Sequence, residues 1–425
     1  MGRISTSRMF ETPSDGHYFF GYFNTPQVSG DDSKLLALKC DFIDRIPDKS
    51  DSAIIGYFDL GKENPAFQKI GTTKTFNWQQ GCMLQFCGPD YLNKIIYNDF
   101  DGNKYVSVLA DLETGSQTVF DYPIYTIASS GELALTLDFP RHYWCRRGYS
   151  YGNIFDQKKN NTIVEGDGIW AMDLKDGSAK KIIKIEDMVN LSHVGTMDEA
   201  THYLEHMTFN PGGTKFAFLH RWKFPEGGIH SRLCVADSDG KNIRILNDSG
   251  RMSHYCWRDE NRLIGYGGIS NSVNRLRKKR GIFRGLFKYL LPVYHFFIKD
   301  SSRIAQTLTG DTYMEIDVSN GKIERIAPTL RGEDGHPAFI PNRDVFITDT
   351  YARSKLGQKA KLFAYDLTVK TEALLDELDS IDKYDETPLR CDLHPRVSRS
   401  GNVLTVDTME RGVRGIYAYR TEDCT

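Results

Sequence analysis

NPGGTKFAFL (residues 210–219) places a turn of Asn, Pro and Gly directly before an apolar run. A turn of Gly, Asp, Pro, Asn or Ser followed by a short apolar run occurs seven times along the chain. The other copies are SGDDSKLLAL (29–38), CGPDYLNKIIY (87–97), SSGELALTL (129–137), WRDENRLIGY (257–266), IPNRDVFIT (340–348) and SRSGNVLTVD (398–407). Each copy is typical of a turn that leads into a β-strand. Repeats of this kind predict an all-β protein, a seven-bladed β-propeller.

A second pattern lies between these turns, in which an aspartate ends an apolar run and a short polar stretch follows. Its copies are VLADLETGS (108–116), IWAMDLKDGS (169–178), LCVADSDGKN (233–242), MEIDVSNGK (314–322) and FAYDLTVK (363–370). The pattern is typical of a hairpin between antiparallel strands. A blade would then hold a turn-led strand, a hairpin and an outer strand. We expect the amino-terminal segment to complete the last blade and close the ring.

The bulk composition favours one large globular unit, and we predict that residues 1–425 form a single propeller domain. Hydrophobic residues make up 40% of the chain and aromatic residues 12%, which fits a packed protein rich in strands. The net charge of −2 gives no bias toward nucleic acid, which we do not expect as a partner. The amino terminus lacks an apolar core of secretory type, and no apolar run reaches the length of a membrane span. We therefore expect a cytoplasmic protein.

Unequal spacing of the turns predicts two insertions, near 140–203 and around 270–312. Within the second, the segment 274–299 carries eight Lys and Arg and no acid, with apolar residues at helical spacing. A basic amphipathic helix suits the face of an anionic bilayer, which makes peripheral contact with the inner membrane one interpretation. The alternative is an insertion packed on the propeller rim with a solvated basic face. A nucleic-acid patch is disfavoured because the aromatics are grouped with aliphatic residues.

Three histidines, His254, His336 and His394, precede successive turns at equivalent positions. Equivalent positions in successive blades converge at one level around the axis of a propeller. Cys391 stands three residues before His394. One thiolate and three imidazoles would suit a divalent metal such as Zn²⁺. The alternative is that each histidine bonds within its own blade and ligates nothing.

DFPRHYWCRRGYSYGN (138–153) concentrates cations and phenols in what we expect to be one loop. Together with His206 and Arg221 it predicts a basic, aromatic pocket suited to an anionic sugar, because a guanidinium pairs bidentately with a carboxylate. The candidate substrate-binding residues are Arg141, Arg146, Arg147, His220, Trp78 and Gln80. The alternative is a loop of solvated arginines whose tyrosines cap the core.

These residue types fit β-elimination on a uronic acid. An Arg or a metal neutralises the carboxylate beside C5, a His or Tyr removes the C5 proton, and another group protonates the leaving O4. The candidates are His142, His206, Tyr149, Tyr151 and Arg221. Hydrolysis by paired carboxylates is harder to assign, since no spacing selects a pair among Asp138, Glu165, Asp167 and Glu205.

An ordered set of short segments spans nearly the whole chain and resembles the propeller-type polysaccharide lyases, the oligogalacturonate lyases and ulvan lyases. The segments are GHYFFGY (16–22), FNWQQGCMLQF (76–86), IIYND (95–99), DFPRHYWCRRGYSYG (138–152), DGIWAMDL (167–174), EHMTFNPGGTKFAFLHRW (205–222), DGHPAFIP (334–341) and CDLHPRVSRSGNVLTVDT (391–408). The resemblance implies that His142 lies close to the scissile bond, that His206 is the general base and that Arg221 neutralises the uronate.

The same resemblance implies that His254, His336, Cys391 and His394 hold manganese or zinc. The chain departs from the ulvan enzymes, which carry a further histidine where this chain reads NTIVEGDG (161–168). Their phenolic base falls near Glu205 and His206, so the identity of the base differs between the branches. Secreted members have a signal peptide, and this amino terminus shows none.

Three functions are compatible with these features. The leading one is a lyase-like enzyme that acts on a uronate-containing oligosaccharide or polysaccharide. The second is a non-lyase or non-catalytic propeller that binds a glycan in surface-polysaccharide biosynthesis, held at the inner membrane face by 274–299. The third is a propeller that binds other proteins and has no small-molecule site.

Overall fold

The computed structural model describes residues 4–225, 227–269, 310–330, 333–385 and 387–423. These residues form seven four-stranded sheets in which every pairing is antiparallel. The prediction of an all-β, seven-bladed propeller is confirmed. The basic segment 274–299, and nearly all of the predicted insertion around 270–312, lie outside the described residues.

The chain begins with β1 (Ile4–Glu11), and six blades of four consecutive strands follow. The first two blades are β2 (His17–Phe19), β3 (Lys34–Cys40), β4 (Ala53–Asp59) and β5 (Gln68–Thr73), then β6 (Gln85–Phe86), β7 (Lys94–Phe100), β8 (Tyr105–Asp111) and β9 (Gln117–Phe120). The next two are β10 (Thr126–Ile127), β11 (Leu133–Thr136), β12 (Gly168–Asp173) and β13 (Ala179–Lys184), then β14 (Thr201–Phe209), β15 (Lys215–Lys223), β16 (Ile229–Asp237) and β17 (Arg244–Gly250). The fifth and sixth are β18 (Met252–Trp257), β19 (Arg262–Gly268), β20 (Asp311–Asp317) and β21 (Ile323–Arg325), then β22 (Ala338–Phe339), β23 (Val345–Asp349), β24 (Ala360–Asp366) and β25 (Thr371–Leu378). The last strands are β26 (Arg396–Val397), β27 (Val403–Thr408) and β28 (Gly415–Asp423).

Strand β1 closes the ring, because it pairs with β28 at the outer edge of the seventh blade. The register runs from Ile4 opposite Asp423 to Glu11 opposite Tyr417. The expectation that the amino-terminal segment completes the last blade is confirmed. The two ends of the chain therefore hold each other in one sheet.

Deletion of residues 1–11 is expected to destabilise the protein, because it removes β1 and leaves the backbone edge of β28 unpaired. We expect a loss of several kcal/mol, a large share of the ~5–15 kcal/mol that stabilises a typical domain. Denaturant unfolding followed by circular dichroism measures this loss. A chain that starts at Ile4 keeps the whole strand and is the control. Equal stability of the two chains would show that β1 does not hold the ring closed.

The turn-led strands recognised in the sequence are the second strands of the blades. In 210–219, which joins β14 to β15, the Asn210 side chain accepts a hydrogen bond from the backbone N–H of Lys215 at 3.0 Å. Gly213 has a φ of 69°, a conformation that glycine adopts without strain. The aspartate-led hairpins join third to fourth strands, and the Asp111 side chain accepts from two backbone N–H groups of its own turn. The repeats thus encode their turns locally.

Two short α-helices interrupt the blades among the described residues. They are α1 (Phe139–Cys145) and α2 (Ile185–Asn190), and single 3₁₀ turns cover Gly195–Met197, Pro328–Leu330 and Ser354–Leu356. The expectation that 138–153 is one loop is therefore wrong over seven of its residues. Asp138 caps α1 by accepting from the backbone N–H of Arg141 at 3.0 Å. No helix in the described part of the chain is long and apolar enough to cross a membrane.

The first blade sends a segment of its inner strand into the axis. Pairing of β2 ends at Phe19 and resumes only at a bridge between Val28 and Leu35, so residues 20–26 leave the sheet. A Cβ atom on Gly21 would lie 2.9 Å from a backbone oxygen, so this close approach needs glycine. The excursion carries two aromatic rings toward the opposite blades, where the candidate site lies.

Candidate functional site

Four histidines lie at one level around the axis, on or just before the inner strands of the last four blades. They are His206, His254, His336 and His394. All four are at least 97% buried. The ring centroid of His336 lies 4.1 Å from that of His254 and 4.4 Å from that of His394. The expected convergence of equivalent blade positions is therefore observed, with His206 as a fourth member.

Tyr22 and Phe23, at the tip of the excursion 20–26, fill the centre of this ring of histidines. Tyr22 stacks on His206 with centroids 4.8 Å apart, and its hydroxyl lies 3.0 Å from His206 Nε2. It also meets His394 edge-on at 5.1 Å. Phe23 packs against His336 at 5.2 Å. Tyr22 ends the segment 16–22 and Phe23 follows it, but the sequence gives no sign that either side chain reaches the axis.

Besides the ring of histidines there is a second cluster of polar side chains, and Glu205 lies at its centre. Its fully buried carboxylate forms ion pairs with Arg146, at 2.5 Å, and with Arg221. It also lies 3.0 Å from His142 Nε2. His206 follows it in β14, where a break in the register gives His206 a φ of 56° and turns it toward the axis. His142, His206 and Arg221, which are far apart in sequence, are thus brought to one place.

Electrostatics fix the charge states of this cluster. Burial alone would raise the pKa of Glu205, but Arg146 and Arg221 outweigh it and hold that pKa well below its usual value. Burial lowers the pKa of His206 well below its ordinary value, so the imidazole is neutral at neutral pH. Burial likewise raises the pKa of Tyr22 well above its ordinary value, so the phenol keeps its proton. A neutral base therefore lies against a protonated phenol and two cations.

His336, Asp392 and His394 form a group that could hold a metal ion, with one ligand atom from each within 4.8 Å of the others. The Nε2 atoms of His336 and His394 are buried and have no hydrogen-bond partner among the described residues. Asp349 accepts from Nδ1 of His336 at 2.9 Å, so Nε2 is the nitrogen that carries the lone pair when the ring is neutral. Two imidazoles and one carboxylate suit first-row divalent metals. These residues therefore fit a metal.

The other two residues predicted for this set lie differently. Cys391 packs with Tyr384 and Met409 in a small apolar cluster, and burial raises the pKa of its thiol to about 12. It is not part of the metal-competent group, where its neighbour in sequence, an aspartate, supplies the third ligand. His254 lies next to the group, with its ring centroid 4.1 Å from that of His336, and Asp334 lies 3.2 Å from its Nδ1 atom. It is nevertheless outside the set whose ligand atoms all lie within 4.8 Å of one another. The group is thus two of the four predicted residues plus Asp392.

Arg390 links the two clusters. Its Nε donates to both carboxylate oxygens of Asp392 at 2.9 Å, and its Nη2 donates to the Tyr149 hydroxyl at 3.0 Å. The Tyr149 ring in turn lies 3.9 Å from the guanidinium of Arg146. Tyr149 and Arg146 are therefore at the site, as the sequence predicted. Arg390 and Asp392 were missed, although both flank Cys391 directly.

Two of the predicted arginines lie away from the site. Arg141 is 1% exposed, and its guanidinium donates to the backbone oxygen of Asn161 at 2.7 Å and lies 3.6 Å from Asp156. It ties down the segment after α1 and does not face the axis. Arg147 is exposed and lies over the ring of Trp144 at 5.6 Å. Arg141 and His142 are adjacent in α1 and point in different directions, which a loop interpretation could not foresee.

Tyr151 and His220 are also structural. Tyr151 stacks on Phe139 at 4.9 Å in the core and accepts from Asn98 at 3.1 Å. His220 is fully buried and bonds to His202 at 2.9 Å, within a network inside the fourth blade. Neither side chain is brought to the ring of histidines.

Trp78 and Gln80, the two residues predicted near the second blade, lie in different places: one in the core and one close to the site. Trp78 packs in the core and donates its indole N–H to the backbone oxygen of Arg45 at 2.8 Å. Gln80 donates to the Tyr125 hydroxyl at 3.1 Å, and that hydroxyl accepts from the backbone N–H of His206 at 3.0 Å. Gln80 therefore supports the position of His206 indirectly.

No family model and no curated protein match this sequence. Solved structures do match over nearly its whole length. An oligogalacturonate lyase in complex with manganese has a TM-score of 0.62 at 15% identity, covering 99% of this chain and 98% of the other. The fold is that of the oligogalacturonate lyases. An oligogalacturonate lyase from Vibrio parahaemolyticus gives 0.58 at 13%, with 99% and 98% covered. The β-propeller domain of the Trilobed protease from Pyrococcus furiosus gives 0.52 at 10%, with 96% and 98% covered.

Proposed function

We propose that this protein is a lyase that performs β-elimination on a uronate-containing oligosaccharide or polysaccharide. The observation that carries the proposal is the meeting of a neutral histidine, a protonated tyrosine and paired arginines on the axis of the propeller. His206, Tyr22, Arg146 and Arg221 supply these groups. The likeness in fold to oligogalacturonate lyases supports the same class of substrate.

The arginine pair suits the uronate carboxylate. Arg146 and Arg221 face a single carboxylate, Glu205, so the cluster keeps a net positive charge with His206 neutral. Their side chains are 19% and 11% exposed, so they stay accessible to a ligand. A guanidinium held in place by a buried carboxylate is preorganised to neutralise the charge that builds up next to C5.

Proton transfer falls to two aromatic side chains. Neutral His206 accepts the proton from C5, and the electron pair of that C–H bond forms the C4–C5 double bond. The C4–O4 bond breaks, and Tyr22 gives its proton to O4 as the general acid. Tyr149, whose ring lies 3.9 Å from the guanidinium of Arg146, is the alternative donor. His142 holds Glu205 in place and positions the arginines.

A divalent metal at His336, Asp392 and His394 would act as a Lewis acid that lowers the cost of charge on the uronate. One structural neighbour is an oligogalacturonate lyase in complex with manganese, and zinc suits the same donors. Arg390 fixes the carboxylate of Asp392, and Asp349 fixes the ring of His336. These contacts orient the ligand atoms whichever metal binds.

Substitution of Asp392 by Asn is expected to abolish tight binding of Mn²⁺ or Zn²⁺, while Cys391→Ser keeps it. The reason is that Asp392 belongs to the metal-competent group, whereas Cys391 packs against apolar neighbours. Metal content after dialysis and the thermal shift on adding metal measure the difference. We expect a loss of about 10–100-fold or more in affinity for Asp392→Asn. Loss of metal in Cys391→Ser alone would instead support the ligand set predicted from the sequence.

A panel of uronate oligosaccharides tests the activity directly. β-Elimination leaves a double bond conjugated to the carboxylate, and the product absorbs in the ultraviolet. We expect this absorbance with at least one anionic substrate and none with neutral oligosaccharides. Absence of the unsaturated product across the whole panel, with metal supplied, would contradict the lyase proposal and favour a glycan-binding propeller.

Location in the cytoplasm, with peripheral contact at the inner membrane through 274–299, stays a prediction. Flotation with anionic liposomes, with and without that segment, tests the contact. Equal recovery of both forms would contradict it.

A further inference from the structure

A cavity of about 790 Å³ opens at the end of the propeller axis opposite the ring of histidines. Its volume lies within the ~300–1,000 Å³ range of small-molecule sites. The residues that line it follow the ring of histidines along the same inner strands. Phe209, Trp257 and Phe339 come three residues after His206, His254 and His336, respectively.

Phe23 separates this cavity from the candidate active site. One side of its ring packs against His336 at 5.2 Å, and the residue also lines the cavity. The cavity is therefore distinct from the histidine cluster. A ligand bound there would not touch His206 or Arg221, which do not line it.

The lining combines aromatic surfaces with polar, uncharged groups. Five aromatic side chains contribute, Phe23, Tyr91, Phe209, Trp257 and Phe339. Hydroxyl and amide side chains lie among them, such as Ser129, Thr208 and Asn210. No carboxylate is among the described residues that line the cavity. Apolar ring faces next to amides and hydroxyls suit a sugar, which has apolar C–H faces and a polar rim.

Two arginines line the cavity, and they differ in one respect. Arg258 is paired with Glu315 at 2.6 Å and with Asp344 at 2.5 Å. Arg399 lies with its guanidinium 3.3 Å from the centre of the Tyr91 ring, and its buried Nη1 has no hydrogen-bond partner among the described residues. Burial lowers the pKa of Arg399. Among the described residues Arg399 has no ion-pair partner, and a partly desolvated guanidinium in that state strongly favours an anion.

We propose that this axial cavity is a second binding site that takes a small anionic sugar, with Arg399 contacting its carboxylate or phosphate and the aromatic side chains contacting its ring. The site is independent of the proposed elimination chemistry. Carboxylate and phosphate share the charge that Arg399 would recognise, so the sugar is either a uronate or a sugar phosphate.

Isothermal titration with galacturonate, glucose 6-phosphate and glucose tests the proposal. We expect at least one of the two anions to bind about tenfold or more tightly than glucose. Arg399→Gln is expected to remove that advantage, while Arg399→Lys keeps part of it. Ser130→Trp, at an exposed position of the lining, should weaken binding of every sugar by filling space. Arg244→Gln, on an outer strand, is the matched control and should change nothing.

The outcomes separate the two sites. Preference for galacturonate or for glucose 6-phosphate that depends on Arg399 supports the proposal and assigns the anionic group. Binding that depends on Arg399 would support the site even if no lyase substrate were found. Where a substrate is found, unchanged lyase kinetics in Arg399→Gln would show that the site lies apart from the reaction. The proposal would be overturned if the wild type and Arg399→Gln bound the two anionic sugars with the same affinities. Arg399-dependent binding of an acidic peptide, with no binding of either anionic sugar, would overturn the assignment to sugars.

Discussion

Replacement of His206 by Ala is expected to lower kcat/KM for β-elimination by about 10²–10⁴-fold, the usual contribution of a general base. Burial keeps His206 neutral, and its Nε2 atom faces Tyr22 and Arg146 at 3.0 and 3.4 Å. No other histidine of the ring has this combination of phenol and cation. The measurement is the initial rate of unsaturated product on the best substrate of the uronate panel.

His193→Ala is the matched control for that experiment. His193 is a partly exposed surface histidine that pairs with Asp198 at 2.9 Å. Among the described residues, none of its contacts involves a residue of the candidate site. We expect its rate and its unfolding midpoint to equal those of the wild type. A His206→Ala protein that unfolds at the normal midpoint and keeps most of its activity would show that His206 is not the base.

The fold could be predicted because its signal is local. Each copy of the turn pattern specifies its own geometry, as Asn210 and Gly213 do between β14 and β15. Seven such turns, added to the aspartate-led hairpins, determine the number of blades without any knowledge of long-range contacts. Closure by β1 followed from counting strands, since the last turn leaves too few residues for a complete blade.

The site was predictable only where it follows the repeat. His336 and His394 each stand four residues before a turn pattern, and so does His206, a signal that could have placed it at the same level. Tyr22 could not be placed, because it reaches the axis through an excursion from β2 that breaks the repeat. Because α1 was not predicted, the sequence also gave no way to tell which of its basic side chains face the axis.

Residue type alone gave wrong predictions of site residues where a polar side chain stabilises the fold. Arg141, Tyr151 and His220 have the chemistry of a sugar site, yet each is buried and hydrogen-bonded to partners within the scaffold. Spacing cannot tell such a residue from a ligand-binding one. Glu205 shows the reverse, since it was considered only for hydrolysis and is instead the anion that holds the arginines.

Substitution of Glu205 by Gln is expected to lower the free energy of unfolding by about 3–5 kcal/mol, the cost of leaving buried charges without their partner. The carboxylate is fully buried and joins Arg146, Arg221 and His142, so an amide of the same shape leaves both guanidinium groups uncompensated. Urea unfolding at neutral pH measures the change. Glu132→Gln, which breaks an exposed pair with Lys175, is the control and should have no measurable effect.

The effect of Glu205→Gln should depend on pH in one direction. The pKa of Glu205 in the folded protein lies well below its value of about 4.3 in an unfolded chain. The stability that the charged form contributes is therefore fully present above about pH 4.3 and is lost as the pH falls through the folded pKa. The stability difference between wild type and Glu205→Gln should shrink as the pH is lowered from 5 toward about 3. A difference that stays constant over this range would mean that the charge of Glu205 does not hold the cluster together.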